Sequence, residues 1–455
     1  MKTQVVLAFI ALAGFLALAS LGRTFAFSVA APIAIALIVL LFYAKKSDWI
    51  LLLVIASVLA FPEQVGVYLG GVLGHPLGDL YLTDILIIML FSLWAFRSIV
   101  TGRLRLSRNP VNLPLSLWLI MCALALVNAL SRGTAFNYSF NEFRVMMYYT
   151  FFFWVANSMT SRRLIECLVR ILPVLAVGVA LHMMYLYSQM GTNLRFLSVN
   201  GAEYKFAQCA FILMFGLYVL SSCERKIVLP ALLLSGMAVL FYFTRTQWAT
   251  SILAIFIILV LGYNSGRLKR TSVTFFVVGA SVLFLTYIMT FLFPGYGDFI
   301  GSVKERFLST TPSTATAQFR IQESIIALEY AMKSPVIGHG FAVGYTFIER
   351  GEGSEAYRLV HNSYVWILLR MGFAGLVVFL WLILAFLKEN MAVIRKTRND
   401  AFLNALSIGV FAVFVSTIVN SLTIYDLTSG RYIIVISTLM GLITATEKVV
   451  EKEKS

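Results

Sequence analysis

The sequence has little of what soluble chemistry usually rests on. Charged side chains make up 13% of its 455 residues, with only four histidines and four cysteines. Cys122, Cys167, Cys209 and Cys223 lie in or beside apolar runs without CxxC spacing. That argues against a disulfide framework and a zinc site, and leaves membrane packing as their role. There is no HExxH, no P-loop, and no Asp-x-Asp pair of the kind many metal-dependent sugar transferases use. Gly338 to Gly344 is glycine-rich, but its spacing is wrong for a dinucleotide loop and no strand precedes it; a turn is expected there. The net charge of +15 is scattered in short groups rather than gathered in one basic patch, which argues against nucleic acid as a partner. No convincing internal repeat of the transporter type is visible.

What the chain has instead is apolar length. It is 60% hydrophobic with a mean hydropathy of +0.87, and about a dozen apolar runs are close to membrane-spanning length. Only helices or closed barrels satisfy the backbone in lipid, and unbroken apolar runs exclude the barrel. The expected spans are 5–21, 26–43, 49–62, 84–100, 112–130, 143–158, 164–187, 206–222, 226–243, 247–263, 272–293, 362–387, 401–424 and 431–446. The first run has only Lys2 before it and no well-defined small-residue cleavage site, and is expected to remain as a membrane helix. Alternate connections carry the basic groups: Lys45/Lys46, Arg97 to Arg108, Arg162/Arg163, Arg225/Lys226, Arg267 to Arg270, Lys388 to Arg398 and the Lys448 to Lys454 tail. The positive-inside rule makes these cytoplasmic and the long polar connection before His361 extracytoplasmic. The fold class expected is an all-α polytopic membrane protein of about 12–14 transmembrane helices. It divides into a helix bundle (1–294), an extracytoplasmic loop (295–361), and C-terminal membrane helices with a short cytoplasmic tail (362–455).

Several outer connections carry a single cation: Arg132, Arg144, Arg195, Lys205, Arg245 and Arg431. A cation within the hydrocarbon costs about 2.5–3.5 kcal/mol on insertion scales, so such residues need partners or a polar cavity, and an anionic substrate is one such partner. Inside the loop, Thr316 to Ser334 reads as an amphipathic helix with Ile321, Ile325, Leu328 and Met332 in one stripe. Thr314 or Thr316 is expected to cap its start, and Pro335 followed by Gly338 to end it. The helix is expected to lie along the membrane with this stripe down and Arg320 turned towards the outer mouth. His361 stands where the loop meets the next apolar run; imidazole there suits a general base, although a histidine at a helix start is more often a cap. Arg245 occupies a tight turn between two apolar runs, and guanidinium matches phosphate oxygens bidentately; an interfacial arginine snorkelling to headgroups is the plainer alternative, and a solvated helix face is the plainer one for Arg320. His339 is a second candidate base, and His75 and His182 are weaker ones. Arg370, nine residues past His361, lies about 14 Å along a helix and is expected to be paired or to face a cavity.

These pieces resemble the O-antigen ligase and polymerase superfamily of bacterial envelope glycosyltransferases. The resemblance rests on Thr244-Arg245-Thr246-Gln247-Trp248, on Arg320 followed by Ser334-Pro335-Val336-Ile337-Gly338-His339-Gly340-Phe341, and on His361-Asn362-Ser363-Tyr364 leading to Leu368 and Gly372-Phe373-Ala374-Gly375-Leu376. Thr246 stands where the family often has glycine. The resemblance covers roughly the second half of the chain. It implies a GT-C-like, metal-independent, inverting glycosyltransferase with no cofactor. The implied donor is a glycan on undecaprenyl pyrophosphate, and the implied acceptor a lipid- or glycan-borne hydroxyl. By the same resemblance His361 is the base and Arg245 and Arg320 bind the donor diphosphate, with Lys205, His339 and Arg144 as weaker candidates. The expected place is the bacterial inner membrane, with the site on its extracytoplasmic face. Ligation to lipid A core, polymerisation of capsule or exopolysaccharide repeat units, and transfer to protein all fit such a donor. A transporter or flippase for an anionic lipid or solute is the rival of another class.

Overall fold

A computed structural model describes residues 109–190, 202–221, 225–241, 245–265, 314–347, 355–357 and 360–454. All of these belong to one compact unit, Val58–Ser455. In chain order the helices are α1 (Asn112–Ser131), α2 (Phe136–Met147), α3 (Phe151–Ser158), α4 (Arg162–Met190), α5 (Ala202–Leu220), α6 (Arg225–Phe241), α7 (Arg245–Asn264), α8 (Thr314–Ala331), α9 (Ser363–Lys396), α10 (Ala401–Asn420) and α11 (Gly430–Lys454). A short antiparallel hairpin, β1 (Tyr345–Phe347) and β2 (Glu355–Tyr357), pairs Tyr345 with Tyr357. Among the described residues five helices are long and apolar enough to cross a membrane: α1, α7, α9, α10 and α11. The protein is therefore a predominantly helical, polytopic membrane protein. The expected spans 5–21, 26–43, 49–62, 84–100 and 272–293 lie outside the described residues.

One expected span is corrected. Residues 143–158 are not a single span: α2 ends at Met147, Tyr148–Thr150 forms a 3-10 turn, and α3 resumes at Phe151. The basic stretch after Lys448 continues α11 to Lys454. Lys396 at the end of α9 reaches Glu447 at 2.6 Å and Glu451 at 2.7 Å, and Arg162 at the start of α4 reaches Asp400 before α10 at 2.5 Å. These pairs gather the basic ends of α4, α9 and α11 on one side of the bundle.

Among the described residues the interior is mostly apolar. α10 and α11 are its centre, with Leu403, Leu406, Ile408, Val410, Ile433, Ile436 and Leu442 fully buried. Trp118 of α1, Tyr149 and Phe379 of α9 form an aromatic knot, with Trp118 and Phe379 4.7 Å apart between ring centroids and Tyr149 edge-on to both. Cys122 and Cys209 are buried, Cys167 is half-buried, and all three are free thiols.

Helix α9 carries the main irregularity. At Gly372 the backbone takes φ +65° and ψ −168°, a region essentially restricted to glycine. The break opens the two helical hydrogen bonds that Leu369 and Arg370 carbonyls would accept from Phe373 and Ala374. The segment from Pro335 to Gly340 fills the gap: His339 N–H donates to Leu369 O at 2.9 Å and Gly340 N–H to Arg370 O at 2.9 Å, while Phe373 N–H donates to Pro335 O at 2.7 Å and Ala374 N–H to Val336 O at 3.2 Å. Every backbone group freed by the kink thus finds a partner, as burial demands. Gly338 and Gly340 both have positive φ. A Cβ on Gly338 would stand 2.4 Å from the Arg370 carbonyl carbon, and one on Gly340 2.5 Å from the Ala129 nitrogen. The glycine-rich stretch is therefore a turn, and its glycines serve close approach of one backbone to another.

Candidate functional site

The polar end opposite the basic pairs holds the site. It is built by the starts of α5, α7, α9 and α11, the end of α10, and α8, whose course is set by its two faces. Glu323, Ala327 and Ala331 are fully buried, whereas Ile321, Ile325, Leu328 and Met332 are exposed. Small residues at i and i+4 let α8 lie close against α9, and the apolar stripe is left outward, as expected for a face meeting lipid. α8 starts at Thr314 and stops at Ala331. Its expected end at Pro335 is thus corrected: Met332, Lys333 and Ser334 form a turn bonded back to Leu328, Tyr330 and Ala331 carbonyls, because the following prolyl segment is committed to the α9 break.

His361 precedes α9, and its neighbours fix it. Asn362 caps the helix, its side-chain oxygen accepting from Tyr364 N–H at 2.9 Å and Val365 N–H at 3.2 Å, which satisfies two of the donors a helix start leaves open. Ser363 N–H donates to Ser421 O at 2.9 Å, and Tyr364 Oη donates to Ile418 O at 2.9 Å. The motif His361-Asn362-Ser363-Tyr364 therefore pins the start of α9 to the end of α10. Glu323 holds His361 itself: one carboxylate oxygen accepts from the backbone N–H at 3.0 Å and lies 2.8 Å from ring Nδ1. The Glu323 side chain is fully buried, while that of His361 is 29% exposed. An ionised carboxylate only accepts, so Nδ1 is assigned the proton, and in the neutral ring Nε2 then keeps its lone pair. The ring stands edge-on to Phe319 and Tyr425, with centroids 6.4 Å and 5.9 Å away.

The connection from Ser421 to Ser429 is the hub. Arg320 donates to Thr423 O at 3.3 Å, which brings Arg320 to the same loop that touches His361. The Lys205 ammonium also meets Tyr425, standing 4.9 Å from that ring's centroid and 5.6 Å from Tyr432's, within cation–π range. Lys205 pairs with Asp426 at 2.8 Å, both side chains nearly inaccessible, and Asn420 donates to the same carboxylate. Tyr149 Oη donates to Leu427 O at 2.9 Å, anchoring the loop from α2–α3. Arg245 opens α7. One turn beyond Lys205, Gln208 donates to the Gln247 carbonyl at 3.1 Å and to Thr250 at 2.9 Å, so the first turn of α7 runs beside the start of α5.

The other candidates do different work. His339 is buried, its Nε2 2.9 Å from Tyr330 O and its Nδ1 3.2 Å from Arg132. A carbonyl accepts and a guanidinium donates, so the ring is the neutral Nε2–H tautomer with both nitrogens engaged. Burial lowers its pKa below the ordinary value; the bond to Tyr330 opposes this and the Arg132 charge adds to it. Arg144 is half-buried in the last turn of α2. Two residues earlier Glu142 supplies the partner for the fully buried Arg370, at 2.8 Å, and accepts from Ala342 N–H at 2.8 Å, while Arg370 also donates to Val343 O. His75 and the side chain of His182 lie outside the described residues. Among the described residues no group of three His, Cys, Asp or Glu is arranged to hold a metal ion.

Sequence reasoning missed Glu323, Tyr425 and Asp426. A signal for Glu323 existed: it falls on the small-residue face with Ala327 and Ala331, opposite the apolar stripe, so its carboxylate had to point into protein. Asp426 is the only acidic residue between Ala401 and Thr446, in an outer connection beside cations that needed partners.

A membrane-embedded helix bundle that holds a carboxylate-bound histidine, an arginine and a buried lysine around one loop defines an integral membrane protein with a polar site at one end of its helices. Residues 230–380 match the family model described as O-antigen ligase. The similarity to that domain covers this stretch of the chain. The matched stretch contains Arg245, Arg320, Glu323, His361 and the α9 break, and leaves Lys205, Tyr425 and Asp426 outside it. No curated protein matches the chain.

Proposed function

We propose that the protein transfers a glycan from undecaprenyl pyrophosphate to a hydroxyl acceptor, lipid A core or a growing polysaccharide, at the extracytoplasmic face of the bacterial inner membrane. The observation that carries the reading is the His361 ring: its Nδ1 is engaged by Glu323, which in a neutral imidazole leaves Nε2 as the accepting nitrogen, beside a loop to which Arg320 is also bonded. Nε2 takes the proton of the acceptor hydroxyl as its oxygen bonds to the anomeric carbon, and the bond from that carbon to the pyrophosphate oxygen breaks with its electron pair. Attack opposite the leaving group inverts the anomeric centre. Arg320 and Arg245 meet the charge that develops on the departing diphosphate, an electrostatic role worth about 2.7–4 kcal/mol per donor at comparable sites. Residues 295–361 act as the catalytic loop between the bundle 1–294 and the C-terminal helices 362–455. Repeat-unit polymerisation and transfer to protein use the same donor chemistry and differ in the acceptor.

The test is product formation by the purified protein in detergent, with donor lipid, candidate acceptors and EDTA, and no ion gradient. Glycan transfer is expected, with arginine-to-alanine changes at 245 and 320 each lowering turnover by about 10²–10³-fold. A size ladder marks a polymerase and a single addition a ligase. Binding of donor without turnover, coupled to movement across a vesicle membrane, would favour a flippase and sink the transferase reading.

A further inference from the structure

The loop helix contributes more than Arg320. Glu323 is fully buried, and one of its oxygens makes two contacts, both with His361. Its other oxygen has no hydrogen-bond partner among the described residues. Burying a carboxylate is expensive unless something compensates it. A neutral imidazole and one backbone N–H compensate it only in part, whereas an imidazolium adds the opposite charge. The pair is therefore better matched after His361 has taken up a proton than before, the differential that accelerates a chemical step.

We infer that Glu323 is a positioning residue for the transfer, one that acts through His361. It holds the ring with Nε2 as the accepting nitrogen and stabilises the imidazolium formed when the acceptor hydroxyl loses its proton. The inference rests on the reading of His361 as the base. The proton ends on Nε2, Nδ1 keeps its own, and the positive charge so created faces the Glu323 carboxylate at 2.8 Å. Because Glu323 and Arg320 are three residues apart on α8, one helix both orients the base and presents a cation. Displacing α8 would disable both at once, so the helix is the element that assembles the site.

The experiment uses the full chain in nanodiscs, wild type, Glu323→Gln and His361→Ala, with two readouts. In the first, histidine labelled with 15N reports the tautomer of His361, assigned by the signal missing in His361→Ala. Protonated Nδ1 and bare Nε2 are expected in wild type, with a mixture of tautomers in Glu323→Gln; a wild-type ring protonated on Nε2 overturns the inference whatever the variants do. In the second, steady-state turnover is measured. Glutamine can present either its oxygen or its amide N–H to Nδ1, so it no longer fixes the tautomer, and it removes the charge. The expected result is a kcat lower by about 10²–10⁴-fold, the usual worth of general acid–base catalysis, with KM for the donor unchanged. An inactive His361→Ala beside Glu323→Gln at wild-type kcat would overturn this inference alone. Full activity in folded His361→Ala would overturn the reading beneath it.

Discussion

Replacing Gly372 by alanine tests the packing that supports the site. Gly372 sits in a glycine-only region of backbone space, and a Cβ there would stand 2.3 Å from the Val336 carbonyl oxygen and 2.6 Å from the Ile337 nitrogen. The obstacle is backbone, which cannot rotate aside. The conformational strain alone costs about 1–3 kcal/mol. Moving the Pro335–Gly340 segment away would also strand the polar groups now joined across the break, each bond worth about 0.5–1.5 kcal/mol. The sum is on the order of 4 kcal/mol or more, in the exceptional tail of single substitutions. Gly133 is the control: its φ is +79° with nothing within 4 Å of a built Cβ, so Gly133→Ala carries only the strain, about 1–2 kcal/mol. The assay is thermal unfolding of the two purified variants in the same detergent. Gly372→Ala is expected to melt well below Gly133→Ala; coincident midpoints would refute the stitched-helix argument.

Asp426→Asn leaves the Lys205 ammonium buried without its counter-charge and is expected to destabilise by about 3–5 kcal/mol in denaturant or thermal unfolding, with Lys205→Met in the same chain restoring much of the loss; no recovery in the double variant would contradict the pairing. His339, with its pKa lowered by burial, favours the folded state while it stays neutral. Its contribution is therefore present above the ordinary histidine value of about 6.5 and is lost as pH falls through the lower folded value. The wild-type melting temperature should accordingly drop more on acidification than that of His339→Gln, and parallel pH curves would rule this out.

The parts of the fold that were legible in the sequence are those governed by hydropathy and helix punctuation. α1, α7 and α10 fall on expected spans because uninterrupted apolar runs have one way to satisfy their backbone in lipid. α8 was legible from its period, and its stripe was correctly separated from its polar residues, but its end was misjudged. Pro335 does not terminate that helix; it starts the segment that repairs α9, a tertiary demand that local signals do not contain. The kink itself was hidden, since Gly372 reads like any glycine in a membrane helix until its φ is known. His361 and Arg320 stood out by chemistry and position, and both touch the 421–429 loop. That loop was unremarked because it is short and mostly neutral, and its importance comes from what reaches it: Lys205 from more than two hundred residues earlier, Tyr149 from further still, and His361 from the other side of α10. Arg370 was expected to need a partner, and Glu142 could be named only once the turn at Ala342 had been placed between them.

The central claim is that His361 removes the acceptor's proton. Its most direct measurement is single-turnover glycan transfer by folded His361→Ala, beside wild type, from an undecaprenyl-pyrophosphate glycan to a supplied acceptor. The account predicts that donor still binds while transfer is lost by about 10²–10⁴-fold. Transfer at the wild-type rate by a variant with a wild-type melting profile would contradict it and leave His361 as a helix-start residue held in place by Glu323.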